Sequence, residues 1–420
     1  VNIPPRRAIG QGTAVAAAAG LSGLGSYAVV VVAAHAMDAE AYSSFAVFWS
    51  LAVVAGLGLY YPIEQETARE IAADRRAGGG LLRAVAVVAG IVTGVAALVV
   101  LLLLTPAGRA YIGEPALVPA LIAVLLASAV QFPVRGLLSG GGLRGRYSLV
   151  IGAEGVARIL IPVGLLVGGV VANVPFAYAV AAAAVVAVVP AFLVRDRSWL
   201  HRPAPALAAV ARRTTALIVA ALAIQLLLNA PVLIAGAVDG AMPLAGGILA
   251  SLTIARIPVF LYGVAQVLYM PSVARARGHG DPAALRRVVV LGMGAAVAAA
   301  VLTVVVMAVA GTWLVSVVFG ADHALGEPVQ VLIGLGIGVF LIGQVASDTA
   351  LALGAHRALV SSWVVALVAA GITAATVSDP VLRTTAPLLV GSSIAVVLLA
   401  GVVIVRLRLA RPTGRPGAGR

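Results

Sequence analysis

The stretch VVVLGMGAAVAAAVLTVVVMAV, Val288–Val309, decides the fold. It follows two arginines, Arg286 and Arg287, and runs for 22 residues without a charge. It shows none of the apolar–polar alternation that a barrel strand presents over about 10 residues. It is long enough for a helix to cross a bilayer, which takes about 20 apolar residues. The same reading along the chain predicts twelve spans, at 13–36, 42–62, 84–105, 116–138, 148–170, 174–194, 214–237, 244–270, 288–311, 328–353, 358–377 and 385–405.

Composition supports this. The chain has 420 residues, 62% apolar and only 10% charged, whereas soluble domains carry about 25% charged residues. So few charges cannot cover a globular surface. The expectation is an all-α polytopic membrane protein, not a soluble enzyme. With no cysteine, disulfides, thiolate nucleophiles and Cys-ligated metals are excluded. The five histidines are scattered over both sides of the membrane, so no metal site and no cofactor are expected.

All 28 basic residues are arginine, and the net charge is +13. Together with abundant Ala, Val and Gly, this predicts a GC-rich bacterial gene. Nucleic acid is not the expected partner, because the arginines follow the topology. With both termini cytoplasmic, 24 arginines fall in inside segments and two, Arg109 and Arg383, outside. That is the positive-inside pattern. The expected location is a bacterial cell membrane, with both termini in the cytoplasm. The tail RPTGRPGAGR, 411–420, reads as a disordered basic segment facing membrane lipids.

The two halves repeat. Pro62 matches Pro271, Gln131 matches Gln344, Arg135 matches Asp348, and Gly141 matches Gly354. Six helices per half give both repeats the same orientation. The expectation is two six-helix bundles, 1–198 and 199–410, related by a pseudo-twofold along the membrane normal.

Polar residues inside spans are expensive and mark candidate sites. Glu154 and Arg158 share one face of the fifth span, Gln225 and Asn229 one face of the seventh. Gln344 and Asp348 share a face of the tenth, Gln131 and Arg135 one of the fourth, and Arg256 sits at the middle of the eighth. Arginine binds phosphate through a rigid two-pronged fork. Arg135, Arg158 and Arg256 are therefore the candidate contacts to an anionic cargo, with Gln225, Asn229 and Gln344 as polar contacts. Glu154 and Asp348 are the candidate coupling acids. Structural pairing of Glu154 with Arg158, and helix–helix hydrogen bonding by the amides, are the competing readings. Asp38 and Glu40 are read as a helix start, and Gly140–Gly142 as a tight turn.

The pattern P-x-x-x-R-x-R-x-x-G-D at Pro271–Asp281, closing a span with Arg256–Ile257–Pro258, resembles the multidrug/oligosaccharidyl-lipid/polysaccharide exporter superfamily. Within it, the O-antigen-type flippases are most similar, through AHAMDAEAYSSFAVFWSL (Ala34–Leu51) and the loop-like QETAREIA (Gln65–Ala72). The resemblance implies a V-shaped pair of lobes around a central cavity and alternating access. It implies transfer of a polyprenyl-pyrophosphate-linked oligosaccharide to the outer leaflet, with a polysaccharide polymerase or glycosyltransferases as partners. A cation antiporter of the same superfamily is the first alternative. A polytopic glycosyltransferase or polymerase is the second, and it would want a longer outer loop with clustered charges.

Overall fold

The computed structural model describes residues 5–73, 79–192 and 207–409. The expected boundary at 198/199 and the tail 411–420 lie outside these residues. Every described element is helical, and each expected span falls on a helix. The chain forms two compact units, Val1–Ala250 with Val315–Ala324, and Ser251–Leu314 with Leu325–Arg420. Eleven helices are long and apolar enough to cross a membrane.

The first unit begins with α1 (Pro5–Ala36) and α2 (Ala39–Val53), capped by Asp38 on the amide of Ala41. A π-helical segment, Val54–Tyr60, joins α2 directly to α3 (Tyr61–Ala73). This corrects one expectation. The second span does not end at 62, and Gln65–Ala72 is helix rather than loop. The charges in that stretch read as the end of a span, but Glu64 and Glu66 are buried on the packed face of α3. Next come α4 (Gly79–Leu101), α5 (Pro106–Ile112), α6 (Leu117–Gly140) and α7 (Arg144–Val167). Then follow α8 (Asn173–Phe192), whose apolar core Asn173–Val189 is short for a span, and α9 (Leu207–Ala237), which packs along the π segment, α2 and α3.

Small residues set how closely these helices approach. A Cβ on Gly136 would stand 2.6 Å from Glu64 O, and one on Gly140 would stand 2.5 Å from Ala68 O. The Gly136–Gly140 pair, four apart on α6, therefore lets the α3 backbone rest directly on α6. Gly25 and Gly155 do the same for α1 and α7, where a Cβ on Gly25 would lie 2.6 Å from Gly155 O.

The eighth span is two helices, α10 (Leu244–Ala255) and α11 (Ile257–Gly278), interrupted at Arg256. Pro258 has no amide to continue the ladder and disfavours helix at the residue before it. The second unit continues with α12 (Pro282–Phe319), which contains the opening stretch, then α13 (Glu327–Ala352), α14 (His356–Thr376) and α15 (Pro380–Leu409). Its core helix is α13, flanked by α14, α15 and α11. Trp363 lies tilted against Phe340, ring centres 5.5 Å apart, and donates to Ser347 Oγ at 2.8 Å.

The turns after α6 and α13 close alike. Gly142 (φ 74°) and Gly354 (φ 73°) adopt the left-handed conformation, and Leu143 N and Ala355 N reach back to Leu138 O and Ala350 O at 2.9 Å. This is the glycine-capped helix end. The turn expected at Gly140–Gly142 is present, but Gly354 has its conformational counterpart in Gly142, one residue beyond Gly141.

Candidate functional site

Among the described residues, each unit buries a polar cluster that holds expected site residues between helices. In the first, Arg135 on α6 stands between two carboxylates, with Nε 3.0 Å from Glu64 Oε2 and Nη1 3.5 Å from Glu154 Oε2. Arg158 Nη2 lies 2.6 Å from Glu154 Oε1 and donates through Nη1 to Ser26 Oγ on α1 at 2.8 Å. Tyr147 donates to Glu64 Oε1 at 2.9 Å. The Arg135 guanidinium also sits 4.9 Å from the centre of the Phe132 ring, a cation–π contact. Two guanidiniums thus face two carboxylates, and the cluster ties α1, α3, α6 and α7 together.

The helix register makes this possible. Glu154 and Arg158 are one turn apart, which lets them pair along α7. Glu64 reaches Arg135 because Gly136 and Gly140 bring α3 onto α6. Three expected site residues, Arg135, Glu154 and Arg158, are therefore neighbours. Glu64 and Tyr147 complete the group. Glu64 lay just past the expected end of a span, and the glycine pair on α6 was the signal that could have found it.

In the second unit Asp348 on α13 accepts from Tyr262 (2.5 Å, at Oδ2) and Gln266 (2.9 Å, at Oδ1), both on α11. Tyr269 and Thr349 share a hydroxyl–hydroxyl bond of 2.7 Å one turn further along α11. Asp348 is buried, and no ion-pair partner stands against it among the described residues. This is the chemical contrast between the clusters. A carboxylate between arginines is neutralised by the protein. A carboxylate held by neutral donors keeps its charge available to a cation. Tyr262 and Gln266 share one helical face, four residues apart.

The other expected residues sit elsewhere. Asn229 is buried on α9 and donates to Gln225 O at 2.9 Å, within its own helix. The amide oxygens of Gln225 and Gln344 are buried without a hydrogen-bond partner among the described residues. Gln344 precedes Asp348 by one helical turn. Arg256 occupies the junction of α10 and α11, its amide bonded to Leu252 O at 2.9 Å and its carbonyl accepting from Phe260 N at 3.0 Å.

No protein-family model matches the chain, and no curated protein is significantly similar to it in sequence. Solved structures are similar in fold. The eukaryotic MATE transporter AtDTX14 matches with a TM-score of 0.64 and 17% identity, over 96% of this chain and 98% of that one. An inward-facing multidrug resistance MATE family transporter of the MOP superfamily matches with a TM-score of 0.65 and 14% identity, over 94% and 96%. The Vibrio cholerae MATE transporter VcmN matches with a TM-score of 0.57 and 16% identity, over 94% and 98%. The chain therefore has the all-α, multi-helix membrane fold of the MATE structures.

Proposed function

We propose that this chain is a secondary transporter that moves a lipid-linked, anionic cargo across the membrane by alternating access, with a cation as the coupling partner. The observation that carries this reading is Asp348, a buried intramembrane carboxylate held by Tyr262 and Gln266 and, among the described residues, by no arginine. A desolvated carboxylate gains most from binding a proton or metal cation, and such a gain drives a transport cycle. Glu154, bridged by two arginines, is the second candidate for coupling.

The cargo is a polyprenyl-pyrophosphate-linked oligosaccharide, moved from the cytoplasmic to the outer leaflet of a bacterial membrane. It is supported by the superfamily resemblance and by arginines within or at the ends of spans. Arg135, Arg158 and Arg256 are the candidate phosphate contacts, and Gln225, Asn229 and Gln344 the polar contacts. Such a flippase breaks no covalent bond. Glycosyltransferases supply its substrate and a polymerase consumes it. The second reading, cation-coupled export of amphipathic drugs, is favoured by the same carboxylate and by the MATE-like fold.

Proteoliposomes separate the two. Purified protein should move a fluorescent polyprenyl-pyrophosphate oligosaccharide between leaflets under an ion gradient, and the cargo should not be displaced by lipophilic cations. Gradient-driven export of a cationic dye, with no movement of the lipid-linked sugar, would establish the antiporter instead.

A further inference from the structure

The connection between α12 and α13 carries a feature that the transport reading leaves unused. Residues Val315–Ala324 belong to the first compact unit, whereas the chain on either side of them belongs to the second. Within this stretch Val315, Phe319 and His323, spaced four apart, are all buried. Gly320, at φ 101° and ψ 152°, makes the bend that a β-carbon would resist and turns α12 into the short 3-10 segment Ala321–His323. At the tip, His323 packs its ring 4.4 Å from that of Tyr42 on α2, tilted by 49°. Its Nε2 lies 3.3 Å from Ala34 O, in the last turn of α1. A carbonyl only accepts, so Nε2 carries the proton and donates.

The arginine distribution places this connection on the outer side of the membrane. We propose that His323 is a proton-sensitive clasp, neutral when the α12–α13 connection is seated on α1 and α2 and released when the imidazole takes up a second proton. The proposal stands independently of what the transporter carries.

The surroundings set the sign. Burial holds the His323 pKa below the usual 6.5, the donated bond to Ala34 and the Asp322 carboxylate act to raise it, and His35 on α1 acts to lower it. Tyr42 is the remaining titratable group against the ring. The seated form binds fewer protons than the released form, whose imidazole titrates near 6.5. Seating is therefore fully favourable above that pH and weakens as pH falls through it.

The chain has no cysteine, so a nitroxide on the exposed Ala321→Cys reports the clasp alone. In lipid nanodiscs its spectrum should be immobilised at about pH 7.5, and the mobile fraction should grow at least ~3-fold by about pH 5. Asp322→Asn lowers the seated-state pKa further and should move the midpoint to higher pH, and His35→Asn raises it and should move the midpoint to lower pH. His323→Asn and His323→Phe should each remove the transition, whether their connection stays seated or loosens. A wild-type spectrum unchanged across this range, or a transition that survives both His323 variants, would overturn the proposal.

Discussion

Arg135 Nε stands 3.0 Å from Glu64 Oε2 across two helices that touch through glycine, with Gly136 and Gly140 on α6 against the α3 backbone. The pair is largely buried, with side-chain exposures of 14% and 5%. Removing one member of a buried pair leaves a charge without its counterion, at about 3–5 kcal/mol, whereas removing both is far milder. Glu64→Gln should therefore lower stability by about 3 kcal/mol. Adding Arg135→Met should recover a substantial part of that loss. Chemical denaturation in detergent measures both. A double variant as unstable as the sum of its single changes would show that the pair does not hold the helices.

The glycine contact is testable on its own. A Cβ at Gly136 would meet Glu64 O at 2.6 Å and Thr67 Cβ at 2.8 Å, a rigid backbone carbonyl and a buried side chain. Overpacking of this kind costs about 1–3 kcal/mol. Gly136→Val should be destabilised by at least that amount and should separate α3 from α6. Gly90→Ala, where an added carbon meets nothing within 4 Å, should be neutral or slightly stabilising in the same denaturation assay.

Topology gives a third test. Ser378, before α15, and Gly145, at the start of α7, are both exposed and lie on opposite sides in the expected orientation. In intact cells an impermeant maleimide should label Ser378→Cys and spare Gly145→Cys. Both should react once the membrane is opened. The reverse pattern would invert the orientation read from the arginines.

The helices were legible because bilayer thickness imposes one length on them, and runs such as Val288–Val309 show it directly. Arg256 marked a real discontinuity, since Pro258 two residues later withholds an amide. The pairing of Glu154 with Arg158 followed from one turn of helix. Glu64 was not legible in the same way. Charge density in Glu64–Arg69 mimics the end of a span, and only the approach of Gly136 and Gly140 shows why α3 continues with its acids buried. Tyr262 and Gln266 were missed as well. Both lie inside the expected eighth span, where Gln266 met the same polar criterion as the other amides, and their role appears only when α11 lies against Asp348.

That contact supports the last prediction. Tyr262 and Gln266 each donate to a different oxygen of Asp348, so the carboxylate is positioned without being neutralised. Asp348→Asn keeps the shape but cannot bind a cation as a charged ligand. It should abolish the ion dependence of transport in vesicles while the folded amount stays near that of the parent. Tyr262→Phe removes one donor and keeps the charge. A hydrogen bond to a charged group contributes about 1.5–3 kcal/mol, so its loss should shift the ion concentration for half-maximal transport by about tenfold or more. The shift should be toward lower concentration, because a carboxylate deprived of one donor holds its cation more tightly. Glu154→Gln should behave differently. Its carboxylate lies 2.6 Å from Arg158 and 3.5 Å from Arg135, so the substitution should reduce the folded amount and leave the ion dependence in place. Ion dependence retained by Asp348→Asn and lost in Glu154→Gln would move the coupling site to the first unit.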